Sequence, residues 1–370
     1  MTLRVARAAK VIGMPVSQAQ CEGVMRRLGL QFTAQSGSIA VTPPSWRFDL
    51  KIEEDLIEEV IRVLGYQTLP DTPPLAPVAA RVRSESQRGT HALRHAMAGL
   101  DYQETLNFSF VEERWERDLA GNEHPIKVLN PIATPLAVMR SSLLGSLVNV
   151  LRYNLAHKMT RVRVFEIAKV YLRAPDSPDS DTAVAGLHQP LRLAGLASGS
   201  AQALQWAQKD RAVDFYDVKG DIESLLAPRV ASFVAAEHPA MHPGRCARIE
   251  VAGRVLGHVG EMHPKWRLAY ELPTAPVLFE LDLSVLAEGR VPQAAAVPRL
   301  QSAWRDIAMI AGESVTHDAV MQAIAADQGG LIRSARLFDV YKPTQPSADM
   351  AAGERSLAIR LELRDDETTL

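Results

Sequence analysis

Residues 43–70 read PPSWRFDLKIEEDLIEEVIRVLGYQTLP, a stretch with a dense run of acidic side chains. One set of apolar residues recurs every four positions, which is a helical period, and Gly65 then ends the pattern. These apolar positions are Ile52, Leu56, Val60 and Leu64. Within seven residues the same segment carries five carboxylates, Glu53, Glu54, Asp55, Glu58 and Glu59. The pattern therefore predicts an amphipathic helix with an acidic face.

The acidic face has two interpretations. Asp55 lies three residues before Glu58 and four before Glu59, so a helix places these carboxylates on one side. Asp49 precedes the helix, where it could cap the first turn and direct an oxygen to the same region. Carboxylates without His or Cys suit a hard cation, above all Mg²⁺. Acids near a helix N-terminus also suit a plainly solvated face, and spacing alone leaves both interpretations open.

The composition indicates a soluble multidomain protein. The chain has 370 residues, 47% apolar and 23% charged, with a net charge of -2, which predicts two or three domains. Cys21 and Cys246 are its only cysteines, so we expect a reducing cytoplasm and no disulfide or structural zinc. No run of 18 apolar residues and no secretory leader pattern occurs, so we expect no membrane partner.

The order of predicted elements gives an α+β, multidomain fold. Residues 1–70 form a module with a helix capped by Ser17, a short strand at 39–41 and the acidic helix. Proline-rich residues 71–85 are a linker. Residues 86–289 contain a helix, a strand at ETLNFSFV, and a largely antiparallel sheet with a hairpin turning at Ala252–Gly253. Residues 298–370 follow a second linker as strand, helix, strand and strand.

The whole string PPSWRFDLKIEEDLIEEVIRVLGYQTLP resembles the B5 domain of the bacterial-type phenylalanyl-tRNA synthetase beta subunit. Further blocks resemble that family in the same order: GLDYQETLNFSFVEE, the segment from LNPIATPLAVMRSSLL to VFEIAKVY, VDFYDVKGDIESLL, HPGRCARIEVAGRVLGHVGEMHP and FELDL. AWRDIAMIAGESVTHDAVMQAI and LFDVYKP resemble its ferredoxin-fold anticodon-binding domain. The resemblance implies a magnesium ion shared with the alpha subunit and bound by Asp49, Asp55, Glu58 and Glu59.

The resemblance covers only the C-terminal half of that family's beta subunit. The tRNA-binding OB-fold and the editing module of the family have no counterpart here, and the ferredoxin-like domain lacks its last helix and strand, so we expect a truncated sheet. The central module resembles a class II synthetase core, yet the nucleotide motif G-x-G-x-G-x-[DE]-R is absent. Arg140 is the nearest candidate for a phosphate clamp, and we expect it to be structural. We therefore predict an inactive core with no catalytic residue.

Other candidate sites have plain structural explanations. His238 and His242 have helical metal spacing, but a proline follows each and disfavours a helix. The acids of YDVKGDIES fit a strand-to-helix turn with charges in the first helical turn. Two groups of basic residues could contact RNA phosphates or be scattered surface charge. They are Arg152, His157, Lys158, Arg161 and Arg163, and then Arg299, Arg305, Arg333, Arg336 and Lys342.

By this resemblance, the chain is a non-catalytic part of an (αβ)₂ ligase that joins phenylalanine to tRNA(Phe) with ATP and magnesium. It scaffolds the alpha subunit and contacts the tRNA. One alternative is a free-standing RNA-binding or regulatory paralogue, which a strongly basic last domain would favour. A second is an independent metal-dependent enzyme, but residues 30–70 offer no His or Cys beside the carboxylates.

Overall fold

A computed structural model describes residues 1–73, 75–76, 82, 84–180, 183–289, 291, 293–294, 297–327, 329–343 and 350–370. Contacts between Cα atoms divide the chain into two units, Met1–Val82 and Arg83–Leu370. The predicted linkers at 71–85 and 289–299 lie partly outside the described residues. So does the segment DSPDSDTA at 176–183, whose polar composition predicts a loop. No helix among the described residues is long and apolar enough to cross a membrane.

The first unit packs three helices against one small antiparallel sheet of order β1-β3-β2. Its elements are β1 (Thr2–Arg4), α1 (Val5–Ile12), α2 (Gln18–Arg27), β2 (Gln31–Gln35), β3 (Ser38–Thr42) and α3 (Glu53–Leu64). Ser17 caps α2 as predicted, with Gln20 returning a hydrogen bond to the Ser17 N–H. Leu56 and Val60 of the predicted apolar stripe are fully buried in the core, whereas Ile52 precedes α3 and is 57% exposed. The predicted helix, strand and acidic helix are therefore confirmed, whereas β1, α1 and β2 were not predicted.

The centre of the second unit is a seven-stranded sheet of order β12-β13-β14-β15-β11-β8-β4, antiparallel except for the β4–β8 pair. Its strands are β4 (Gln103–Glu104), β8 (Val162–Lys169), β11 (Leu191–Ser198), β12 (Ala231–Ala235), β13 (Met241–Val251), β14 (Arg254–Met262) and β15 (Val277–Asp282). Its helices are α4 (Thr90–Gly99), α5 (Glu113–Trp115), α6 (Leu144–Ala156), α7 (Phe215–Leu226), α8 (Pro264–Ala269) and α9 (Leu283–Leu286). Two apolar clusters cover the two faces of the sheet, one containing residues of α4 and α7 and the other containing residues of α6.

Two minor sheets complete this part of the chain. They are β5-β7-β6, made of Phe110–Val111, Val138–Met139 and Ile126–Lys127, and the pair β9 (Leu172–Arg173) and β10 (Leu187–His188). The hairpin between β13 and β14 turns at Ala252–Gly253, where both residues have positive φ, as hairpin turns of this kind require. One prediction was wrong: ETLNFSFV is not a single strand, because only Glu104 and the pair Phe110–Val111 are in strands.

Residues 303–363 contain β16 (Ala303–Gly312), α10 (His317–Ala325), β17 (Ile332–Tyr341) and β18 (Glu354–Leu363). The three strands form an antiparallel sheet of order β16-β18-β17. Thr316 caps α10, and Val320 of that helix is buried with Leu357 and Ile359 of β18. The predicted strand, helix, strand and strand order is confirmed, and mixed α and β structure is present throughout the chain.

Candidate functional site

The acidic helix begins at a cap supplied by one of the predicted metal ligands. The Asp55 carboxylate accepts hydrogen bonds from the backbone N–H groups of Lys51 (2.6 Å) and Ile52 (2.8 Å). These hydrogen bonds lower the pKa of the Asp55 carboxyl group, because they favour its charged form. Asp49 was expected to cap the helix, but it does not, since its carboxylate is bound to Arg47 instead.

Arg47 links two of the predicted ligands. Its guanidinium donates to both oxygens of Asp49 and to Oε1 of Glu59 at 2.8 Å, while Arg62 binds Oε2 of Glu59. The Glu59 side chain is only 10% exposed. Burial opposes ionisation of Glu59, but the hydrogen bonds from Arg62 and Arg47 outweigh it and hold its pKa below the ordinary range. Glu59 is therefore a buried, doubly paired carboxylate.

Two other acids of α3 bind arginines of β1 and of helix α1. The Glu53 carboxylate accepts from the Arg4 backbone N–H at 2.7 Å and from its guanidinium at 2.6 Å, and Arg7 binds Glu54. The hydrogen bond from Arg4 lowers the pKa of Glu53. These pairs connect the two ends of the first unit, so part of the acidic face is structural.

The four predicted ligands do not fit a metal ion held by this chain alone. Asp49 and Glu59 use both oxygens on arginines, and Asp55 uses one oxygen on the helix start. Glu58 is exposed and forms no hydrogen bond or ion pair with the described residues. No three His, Cys, Asp or Glu side chains lie close enough to hold a metal in the part of the chain that the structure describes.

The centre of the second unit contains a buried polar network. Arg140 and Glu166 form an ion pair of 2.9 Å with side chains 3% and 2% exposed. Arg140 also donates to the carbonyl of Lys169, and Asn107 donates to Glu166. Glu116 accepts from Ser141 and Asn122, and burial raises its pKa. The Arg140 guanidinium is enclosed by these contacts, which is the structural role expected for it.

Large apolar side chains are exposed in the segments 106–110 and 129–136. Leu106 is 87% exposed, Phe108 74%, Leu129 101% and Ile132 92%. Phe108 also lines a cavity of about 200 Å³ together with Phe110, Pro135 and Leu136. Sequence reasoning missed this surface, although the apolar residues of LNFSF and LNPI that fall outside regular strands were a usable signal. We name it the apolar surface.

The basic residues divide into paired and unpaired groups. Arg163 is buried against Asp221 and Tyr102, Arg161 binds Asp101, and Lys342 binds Glu313. Arg152 lies within 3.7 Å of Glu271, and Arg333 binds Asp366. Arg299, Arg305 and Arg336 are exposed and form no ion pair with a described carboxylate. His238 lies in a loop and His242 in β13, so the two do not form a helical pair. Asp217 belongs to the cap of α7, as its plain explanation predicts.

Three family models match the chain in succession. The tRNA synthetase B5 domain matches residues 1–66, the phenylalanyl-tRNA synthetase beta chain CLM domain residues 69–283, and the ferredoxin-fold anticodon-binding domain residues 298–370. These three domains together define a tRNA synthetase component. The chain belongs to the phenylalanyl-tRNA synthetase beta chain family, since the CLM model covers more than half of its residues.

Similar proteins carry the corresponding name. The phenylalanine–tRNA ligase beta subunit of Cupriavidus pinatubonensis is 48% identical over 379 residues, covering 100% of this chain and 46% of that protein. Those of Ralstonia nicotianae and Burkholderia lata are 46% identical over 373 residues with the same coverage. The chain thus spans about half the length of the curated relatives it matches. A solved pyrrolysyl-tRNA synthetase from Desulfitobacterium hafniense has a TM-score of 0.40 and 9% identity, covering 73% of this chain and 86% of that one, which is too low to bear on fold or function.

Proposed function

We propose that this chain works as the non-catalytic, C-terminal part of a phenylalanine–tRNA ligase beta subunit. In this role it supports a catalytic alpha subunit in an (αβ)₂ assembly that charges tRNA(Phe) with phenylalanine at the expense of ATP, in the cytoplasm. The observation that carries the proposal is the match to three domain families in one order along the chain. The relatives named as beta subunits support it.

The apolar surface supports a contact with the alpha subunit. Single exposed apolar residues are ordinary, but Phe108 and Phe110 line one cavity with Pro135 and Leu136, and exposed apolar groups of this kind are typical of a protein interaction site. The side chains of Leu106, Phe108 and Ile132 are largely exposed, and exposure of apolar area to water is unfavourable. A partner that covered them would bury most of this area. We therefore assign this surface to the interface with alpha.

The last domain supports a contact with tRNA phosphates. Arg299, Arg305 and Arg336 lack carboxylate partners among the described residues, so their charges are available for a polyanion. In the sheet, Arg336 stands directly opposite Arg360, which increases the positive potential beside it although Arg360 is itself bound to Asp306. Such contacts give affinity that falls with salt and carries no sequence information.

The magnesium ion belongs to the proposal as a shared ion. Asp49, Asp55, Glu58 and Glu59 lie in one short region, yet internal partners engage three of them. The remaining ligands would come from the alpha subunit and from water, as Mg²⁺ accepts readily. Glu58 is the most informative ligand to test, because its removal leaves every described contact of α3 intact.

Co-expression with a bacterial alpha subunit, followed by light scattering of the purified complex, tests the proposal. We expect a stable mixed assembly that Leu106→Ser weakens, because an exposed apolar side chain of the proposed interface is lost. Leu204→Ser is the matched control, since Leu204 is 94% exposed outside the apolar surface. A well-folded chain that never binds alpha would instead favour the free-standing paralogue.

The magnesium ion needs a second measurement. Titrating Mg²⁺ while following association of the two subunits should show stronger assembly with the metal, and Glu58→Ala should reduce that dependence. Arg27→Ala provides a control for charge changes on a neighbouring helix, because Arg27 is exposed and unpaired among the described residues. Equal Mg²⁺ dependence in Glu58→Ala and the parent chain would remove Glu58 from the ligand set.

A further inference from the structure

Two adjoining cavities open on the face of the seven-stranded sheet that packs against α6. Their volumes are about 420 Å³ and 290 Å³, and both are lined by Arg192, His238 and Glu280. Ser142 and Arg173 line the first cavity and His258 lines the second. We call the two together the sheet cleft. Its size lies within the range of small-molecule sites.

A row of polar side chains crosses the sheet at the cleft. In register, Arg248 of β13 lies opposite His258 of β14, which lies opposite Glu280 of β15. Glu280 is paired in turn with Ala194 of β11, and Ala194 with Glu166 of β8. Directly opposed residues share one face of a sheet. A sheet covered on both faces is normally apolar at such positions, so this row needs an explanation beyond packing.

Glu280 holds Arg192 in position at the cleft. Its Oε1 accepts from the Leu143 N–H at 2.7 Å and from the Ser142 hydroxyl at 3.1 Å, and its Oε2 accepts from Arg192 Nη1 at 2.5 Å. Glu280 is 7% exposed, so its charge is compensated by these three donors. Arg192 Nε and Nη2 form no hydrogen bond with the described residues and are free to donate to a ligand.

Two further donors face the same space. Arg173 donates to the carbonyls of His124 (3.0 Å) and Pro125 (3.3 Å) but has no carboxylate partner in the described chain. His238 Nδ1 accepts from the Ala240 N–H at 3.2 Å, so the neutral ring carries its proton on Nε2. Burial lowers the pKa of His238 to about 4, which keeps that ring neutral near pH 7.

The other acid at the cleft is Asp282, which lines the second cavity and lies directly opposite Arg192 in the sheet. Asp282 accepts from the N–H and hydroxyl of Ser284 at the start of α9, so its Oδ1 is engaged by the cap. The cleft therefore presents two guanidinium groups and two imidazoles, with Arg192 shared between Glu280 and the cavity and with Oδ2 of Asp282 unbonded among the described residues. Guanidinium groups bind carboxylate and phosphate oxygens in pairs, which fits this arrangement.

We propose that the sheet cleft binds a small oxyanion, a carboxylate or a phosphate, through Arg173 and Arg192 with the His238 Nε2–H as a third donor. The residues that line the sheet cleft are not residues of the acidic helix, of the apolar surface or of the basic group in the last domain. It goes beyond the proposed role in tRNA charging and does not rest on it. The shared chemistry is the oxyanion, and two probes distinguish its sources.

Calorimetric titration of the full chain at low salt, with inorganic phosphate and separately with succinate, tests the proposal. We expect at least one probe to saturate with a Kd below about 1 mM, corresponding to roughly 4 kcal/mol of binding free energy. Arg173→Gln should weaken that binding about tenfold, because it removes an exposed cation without a structural ion pair. Saturation by phosphate alone or by succinate alone identifies the preferred group.

A matched control and a second readout locate the binding. Arg267→Gln removes an arginine that likewise donates to a backbone carbonyl, that of Pro273, and it should leave the titration unchanged. The imidazole NMR signals of His238 and His258 should shift on addition of the probe. The proposal fails if neither probe saturates with a Kd below about 1 mM, or if Arg173→Gln and Arg267→Gln bind alike.

Discussion

Arg47 shows how one side chain limits what its neighbours can bind. It occupies both oxygens of Asp49 and one oxygen of Glu59, and Arg62 takes the other. A cation placed among these carboxylates would compete with a guanidinium that already neutralises them. Sequence spacing could not reveal this competition, because Arg47 lies before the helix and reaches it only after folding.

Arg47→Ala should destabilise the first unit by about 2 kcal/mol, since it leaves the buried Glu59 carboxylate with one partner. Hydrogen exchange of the amides in α3, followed by mass spectrometry, measures this loss. Arg27→Ala should change the same free energy by less than about 0.5 kcal/mol. Equal protection in the two variants would mean that Arg62 alone compensates Glu59.

Arg140→Ala should lower the free energy of unfolding by about 3–5 kcal/mol, more than Arg47→Ala, because it leaves Glu166 charged and buried without its partner. Urea unfolding of the second unit, monitored by hydrogen exchange of the amides in β8, measures this change in the free energy of unfolding. Replacement of Arg245 provides the comparison, because its side chain in the ion pair with Glu261 is largely exposed. We expect that replacement to lower the free energy of unfolding by only about 0–1 kcal/mol. A small effect of Arg140→Ala would indicate that water enters the site and solvates Glu166.

At the scale of elements, periodicity and caps predicted most helices and strands. Ser17 is the N-cap of α2 as predicted, and the predicted turn at Ala252–Gly253 forms a hairpin. The same reasoning was wrong for residues 104–111. Their alternating apolar residues predicted one strand, but they remain exposed and do not form one. An alternating apolar pattern predicts a strand, but by itself it does not determine whether that strand forms or whether the side chains stay exposed.

The cap of α3 could not be assigned correctly from sequence, because two aspartates lie close to the start of the helix. Asp49 precedes the helix, as a capping residue usually does, but its carboxylate is bound by Arg47. The Asp55 carboxylate, from within the first turn, accepts from the Ile52 backbone N–H instead. The sheet cleft was missed for a related reason. Its residues come from strands distant in sequence, and only the register of the sheet brings His258 beside Glu280.

In metal-free buffer, Asp55→Ala should loosen the first turn of α3, because the two hydrogen bonds of the cap are lost. We expect it to lower the free energy of unfolding by about 1 kcal/mol. Asp55→Asn keeps one acceptor oxygen and should recover much of that loss. Exchange of the Lys51 and Ile52 amides, measured by NMR in metal-free buffer, tests both variants. If Asp55→Ala leaves those amides protected without metal, water or another group caps the helix.

At the scale of the whole molecule, the first unit has a core of its own. Leu3, Met25, Ile39 and Leu56 are all fully buried within one cluster that contains only residues of this unit. We therefore expect residues 1–73 to fold when expressed alone and to unfold cooperatively in urea, as small domains do. Far-UV circular dichroism measures the transition. A fragment without a cooperative transition would show that this core needs the rest of the chain.

Acid should destabilise this unit through its paired carboxylates. Hydrogen bonds from Arg47 lower the pKa of Asp49, and those from Arg4 lower the pKa of Glu53. Hydrogen bonds from the backbone N–H groups of Ile52 and Lys51 lower the pKa of Asp55. Because each folded pKa lies below its unfolded value of 3.8 or 4.5, the unfolded state binds more protons in acid. The stabilisation is complete above about pH 5 and is lost as the pH falls through the folded values.

The urea midpoint of residues 1–73 should accordingly stay constant between about pH 7 and pH 5.5 and fall steadily below about pH 4.5. Arg4→Gln should flatten that fall, because Glu53 then titrates nearer to its unfolded value and contributes less to the difference in bound protons. Arg27→Gln should reproduce the parent curve. A midpoint independent of pH in the parent fragment would mean that the unfolded chain retains the same ion pairs, so that folding does not change the affinity of these carboxylates for protons.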